Sequence, residues 1–170
     1  MENQIYYDVA GIDILECTIY ELEEQGRLGQ EKEYIQHGTT TVFEHSVKVA
    51  YISLLIAHRL KLKVDYKSLI RGALLHDYFL YDWHENDASH RLHGFRHAGF
   101  ALRNAGRDFS LGPIERNMIA SHMFPMNLVL PRFRESLLLC LADKICSFCE
   151  TFHLAPPVGK DGLEQRSKFQ

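Results

Sequence analysis

An all-α fold is predicted for this 170-residue chain by the recurrence of apolar residues at helical spacing and the near absence of period-2 alternation over any useful length. Gly and Pro punctuate the apolar segments, dividing them into successive helices without an internal repeat. Hydrophobic residues make up 46% and charged residues 24% of the sequence, a balance that fits one globular domain with a sizeable core. That single domain is expected over 1–155, with its core in 41–152 and a tail over 156–170.

The first helix is expected from about Ile12 to Glu24, ending near Gly26 and Gly29. A second, short helix is expected around Glu31 to Gln36. Gly38-Thr39-Thr40-Thr41 then supplies an N-terminal start signal for a helix from Val42 to about Leu60. Its stripe of Val42, Val49, Ile52 and Ile56 turns His45 inward. Asp65 caps the next helix, which runs through Leu69, Ile70, Ala73 and Leu74 to His76 and Asp77. Irregular aromatic and polar sequence follows to about Arg91, as in a long functional loop. Gly94 to Ala105 is predicted helical, ending before Gly106. Pro113 opens a helix over Ile114 to His122, stopped by Pro125, and a final long helix runs from Phe133 to Phe152. The Pro- and Gly-containing stretch after His153 has a linker's composition.

No run approaches the roughly 18 apolar residues of a membrane span, and the N-terminal stretch lacks a basic region followed by an apolar one, so a cytoplasmic protein is expected. A formal charge of -3 without a basic block argues against duplex nucleic acid as a partner while leaving room for a small anionic ligand. Cys17, Cys140, Cys146 and Cys149 lack the spacing of a secreted disulfide framework. The lone Cys146-Ser-Phe-Cys149 reads as small apolar residues packed at i and i+3 of a helix.

Histidine carries the chemical signal. Of ten in the chain, His76, His84, His90, His93, His97 and His122 fall in its middle. Four separate segments each bring an imidazole or carboxylate to an apolar helix face or end: His45, His76 with Asp77, His122, and Asp143. Burying such groups costs several kcal/mol, about 2 or more each, unless they are paired or bind a metal. Neighbours on a helix point about 100° apart, so His76 and Asp77 reach one ion only where the helix ends or bends. Imidazole nitrogen with carboxylate oxygen suits Fe, Mn, Co, Ni or Zn better than Ca or Mg.

Phe43-Glu44-His45-Ser46-Val47-Lys48, Gly72-Ala73-Leu74-Leu75-His76-Asp77 and Leu141-Ala142-Asp143-Lys144-Ile145 together resemble the HD superfamily of metal-dependent phosphohydrolases over most of the chain. The resemblance implies an all-α HD-type helical bundle in which His45, His76, Asp77 and Asp143 bind a first divalent ion. In binuclear members further histidines follow the pair, and the aspartate bridges both ions. Leu92-His93-Gly94 is similar to a motif of HD-type diadenosine tetraphosphate hydrolases, Arg96-His97-Ala98 resembles the His-Pro element of other members, and Ala120-Ser121-His122-Met123 resembles a later histidine. His93 and His97 both remain candidates beside His122. No GYP triplet follows, so cyclic-di-GMP activity is not implied.

The implied reaction is hydrolysis of a phosphate ester or anhydride, a nucleotide above all, by metal-activated water, with His76 and Asp77 at the catalytic centre and one or two transition-metal ions as cofactor. Lys48, Arg91, Arg96 and Lys144 are candidates to hold the anionic substrate. His84 and His90 read as loop imidazoles or substrate contacts, and Asp82 and Glu85 as proton carriers or supports for the ligands. Two other classes use the same ligands: a di-iron oxygenase, and a non-catalytic nucleotide-binding or sensor domain. HD domains also self-associate, although no heptad seam is readable for a homo-oligomer.

Overall fold

A computed structural model describes residues 11–81 and 93–154, the side chains of 37 and 93–95 excepted. The segment 82–92, holding the expected positions of Asp82, His84, Glu85, His90 and Arg91, lies outside the described residues, as do 1–10 and 155–170.

Gly11, at φ 93°, turns the chain into α1 (Ile12–Gln25), whose Leu15, Thr18 and Leu22 are buried. Gly26 ends it in contact with Phe109, where a Cβ would lie 2.3 Å from the ring. The expected short helix is displaced: a 3-10 helix occupies Leu28–Glu33, and Gln36 instead lies in a two-stranded antiparallel ribbon. The ribbon pairs β1 (Ile35–His37) with β2 (Thr40–Thr41), with Ile35 opposite Thr41 and a turn through Gly38 at φ 58°. The β-branched threonines and that left-handed glycine favour a turn-and-strand path over a helical one. The ribbon brings Gln36 to a buried position.

Thr41 also caps α2 (Val42–Arg59), accepting from Glu44 N–H at 3.2 Å while the Glu44 carboxylate accepts from Thr41 N–H at 2.9 Å. This helix is buried on most faces, from His45 and Val49 to Leu54 and Ala57. It packs between α3 (Tyr66–Leu74) and α6 (Arg134–Thr151). Asp65 caps α3 as expected, accepting from Ser68 N–H at 3.2 Å. The helix ends at Leu74, so His76 and Asp77 stand in the turn that follows it.

Asn104 pins that turn by donating to the carbonyls of Tyr78 at 3.1 Å and Phe79 at 2.9 Å. The Tyr78 hydroxyl donates to Asp108 at 2.9 Å and accepts from Arg27 N–H at 2.7 Å. Asn104 and Asp108 belong to α4 (His93–Asp108), which continues past Gly106 instead of stopping before it. The ion pair of Asp108 with Arg27, at 2.8 Å, holds that last turn and offsets the glycine's low helix propensity, about 1 kcal/mol. Next comes α5 (Pro113–Ser121), with Pro113 in the first turn and Glu115 accepting from Gly112 N–H at 2.6 Å. Among the described residues no helix is long and apolar enough to cross a membrane.

Candidate metal centre

Six side chains from five elements converge beside the α3 turn, all at least nine-tenths buried: His45 of α2, His76 and Asp77 of the turn, His97 of α4, His122 just past α5, and Asp143 of α6. They fall into two sets. The ligand-type atoms of His45, His76 and Asp143 lie within 4.8 Å of one another, as do those of Asp77, His97 and His122.

Asp77 stands between the sets. Its Oδ2 is 3.4 Å from His76 Nε2 and 3.9 Å from His45 Nε2, while its Oδ1 is 3.3 Å from His97 Nε2 and 3.4 Å from His122 Nε2. Asp143 Oδ1 closes the first set at 3.3 Å from His45 Nε2 and 3.8 Å from His76 Nε2. Ser147, one turn along α6, donates to the same oxygen at 3.2 Å. Gln36 Nε2 donates to Asp77 Oδ2 at 2.5 Å.

Local hydrogen bonds decide which nitrogen each ring presents. His76 Nδ1 is 2.7 Å from the Ala73 carbonyl, and His122 Nδ1 is 2.9 Å from the Ile119 carbonyl. His45 Nδ1 is 2.8 Å from Glu150 Oε2. Carbonyl and carboxylate oxygens only accept, so in each case Nδ1 carries a proton and Nε2 is turned toward Asp77 or Asp143; His45 Nε2, 3.3 Å from Asp143 Oδ1, carries a second one in the metal-free protein. Among the described residues, His76 Nε2 and Asp77 Oδ1 are buried with no hydrogen-bond partner. Bare, buried, converging donor atoms of mixed nitrogen and oxygen type fit a divalent transition metal, and the carboxylates supply the charge to hold it.

The electrostatics separate the two sets. Burial would lower the His45 pKa, but Asp143 and Glu150 on either side raise it to about 10. Burial lowers that of His122, and the pull of the Asp77 carboxylate 3.4 Å away does not fully compensate. Burial would push both aspartates up; the surrounding imidazoles outweigh it and hold Asp77 and Asp143 well below the ordinary carboxylate range. Between His97 and His122 the Nε2 atoms are 2.8 Å apart, a separation that requires a proton or a cation between them.

The sequence missed Glu150, Gln36 and Glu31. Glu150 shares one face of α6 with Asp143 and Ser147 at i+7 and i+4, a spacing that would have exposed it. Gln36 left no such trace because its approach depends on the ribbon. The Glu31 carboxylate is fully buried with neither oxygen partnered among the described residues, and burial, with Asp77 nearby, raises its pKa well above the ordinary value.

Of the expected substrate cations, Lys48 is 29% exposed and pairs with Glu150 Oε1 at 3.1 Å. Lys144 donates to the carbonyls of His122 and Cys140, each at 3.3 Å. Arg96 is exposed and lies over the Phe100 ring, which Arg103 also covers at 4.6 Å. His93 begins α4, but its side chain lies outside the described residues; His97, one turn on, faces the centre. The cysteines are free thiols; Cys146 is packed in the core as the helical reading expected, whereas Cys149 is only half-buried.

A family model described as HD domain matches residues 42–147, an interval that contains all six clustered side chains. No curated protein and no solved structure gives a significant match.

Proposed function

Since the chain belongs to the HD domain family, whose members are generally metal-dependent hydrolases, we propose that it is a phosphohydrolase acting on a phosphate ester or anhydride of a nucleotide in the cytoplasm. The observation that carries this reading is Asp77, whose two oxygens face two different His/Asp sets. His45, His76, Asp77 and Asp143 hold one divalent ion, and Asp77, His97 and His122 a second, drawn from Fe, Mn, Co, Ni or Zn. Ions of this kind supply Lewis acidity, polarising phosphoryl oxygens and lowering the pKa of water from about 15.7 toward about 7.

The protein's own groups do the rest. Asp77 sets the spacing of the two sets, and the Nδ1 hydrogen bonds keep the imidazoles from rotating away. Lys144, whose ammonium donates to the backbone carbonyl of the ligand candidate His122 at 3.3 Å, is the cation we assign to a phosphate oxygen. Arg96, next to His97 in sequence, together with Phe100 and Arg103 offers cationic and aromatic surface suited to the rest of a nucleotide. No serine, threonine or cysteine nucleophile is required, and the buried Cys146 thiol, pushed up by burial, is a poor one.

The test is an activity screen of anaerobically purified protein, loaded in turn with manganese, cobalt, zinc or iron, against phosphoesters and nucleotides. Release of phosphate or nucleoside monophosphate, lost in Asp77→Ala, is the expected result. Turnover that consumes oxygen with a mixed-valent iron signal would replace hydrolysis by di-iron oxygenation. Tight nucleotide binding without turnover in any metal would make the domain a sensor.

A further inference from the structure

The three rings that fix Nε2 toward the carboxylates do so by two different means. His76 and His122 follow the C-terminal ends of α3 and α5, where the last carbonyls of a helix lack intrahelical partners, and each donates its Nδ1 proton to the carbonyl three residues back. His45 stands in the first turn of α2, where the neighbouring carbonyls already accept helical bonds. A ring in that position needs an acceptor from another element. Glu150 of α6 provides it at 2.8 Å, and Lys48, one turn beyond His45, holds the other carboxylate oxygen at 3.1 Å.

From this geometry we propose that Glu150 is a positioning residue for the first ion: by accepting the His45 Nδ1 proton it holds His45 Nε2 as the metal-binding nitrogen, with Lys48 holding Glu150. The inference rests on the metal-binding part of the function proposed above, not on the identity of the substrate. A purely structural role is a poor account of the pair. Buried charge pairs return little net stability against apolar replacements, whereas an acceptor on a ligand imidazole changes metal affinity about 10- to 100-fold.

The experiment is zinc titration of the full chain in competition with a chromogenic chelator, on wild type, Glu150→Gln and Glu150→Ala, with folding followed by circular dichroism. Wild type binds two ions. Glu150→Ala weakens one of them about 10- to 100-fold and leaves the other within twofold. Glu150→Gln keeps a carbonyl oxygen able to accept the Nδ1 proton but loses the charge assistance, so it falls between the two. Long-range proton–nitrogen spectra of the zinc-loaded protein show the His45 Nδ1–H in wild type and its loss in Glu150→Ala.

Equal affinities across the series, or an equal weakening of both ions, overturns the proposal, as does wild type binding no zinc. If Glu150→Ala does not fold, Glu150→Gln decides alone: a several-fold weakening confined to one ion supports the role, and no change overturns it. Wild type that binds two ions with this dependence but hydrolyses nothing removes the proposed function and leaves Glu150 in place.

Discussion

The first set, His45 with His76 and Asp143, and the second, His97 with His122, share Asp77 and near-complete burial, yet they hold protons differently. His45 lies between Asp143 and Glu150, which raise its pKa to about 10, so in the metal-free protein its Nε2 bears a proton near neutrality. His122 has its pKa lowered by burial, and with Nδ1 donating to the Ile119 carbonyl its Nε2 presents a lone pair near neutrality. Like geometry therefore does not mean like loading. A cation entering the first set must displace a proton, and one entering the second need not.

The strongest way to break that comparison is Asp77→Ala, which removes the one group common to both sets. Bound metal should fall from two ions to fewer than one per chain, by elemental analysis, with any hydrolytic activity down at least about 100-fold. Retention of both ions would end the account of Asp77 as the shared ligand. Next in size, His122→Ala should cost one ion and spare the other, leaving His45, His76 and Asp143 intact. Loss of both together would mean that the sets are one cooperative site.

The proton difference itself is measurable by calorimetry of zinc binding at pH 7.5 in buffers of unlike ionisation enthalpy. About one proton should leave with the ion that fills the first set and about none with the other. Equal release from both would dissolve the distinction. Metal-free stability follows the same groups. The raised His45 pKa adds stability that is fully present below 6.5 and is lost as pH rises through about 10. The raised Glu31 pKa works in the same direction, making folding less favourable as pH climbs above 4.5. The depressed Asp77 and Asp143 contribute above 3.8 and lose that contribution as pH falls below it. Chemical denaturation across pH should thus peak in mildly acid solution, and a maximum above pH 9 would contradict the electrostatics.

Smaller effects act through packing. Gly72 of α3 lies against α5, where a Cβ would sit 2.5 Å from Met118 Sδ. Gly72→Ala should cost about 1–3 kcal/mol in urea denaturation and, by displacing α5, weaken the second ion more than the first. Glu31→Gln should raise the metal-free Tm by a few degrees, about 1 kcal/mol, because a buried carboxylate unpartnered among the described residues becomes an amide.

Much of this protein is legible in its sequence. Helix boundaries follow from local signals: the Thr41 and Asp65 caps, Pro113, and the stripe of α2 depend on neighbours within a turn or two. Helical spacing likewise turned His45 inward, and the residues after Leu75 marked the helix end that lets His76 and Asp77 act together. Where local propensity and tertiary contacts disagreed, the contacts prevailed, as at Gly106, carried by the Asp108 pair with Arg27, and at Gln36, drawn into a ribbon beneath Asp77.

The sequence by itself determined that His45, His76, Asp77, His122 and Asp143 bring imidazole and carboxylate to the interior, because burial of these groups is visible in their apolar neighbours. Only the tertiary structure decided how they divide between two sets, that His97 faces Asp77, and that Lys48 meets Glu150. Those relations join atoms from different helices, and a few degrees in the packing angle between helices moves a side chain by about 1 Å, enough to break a hydrogen bond.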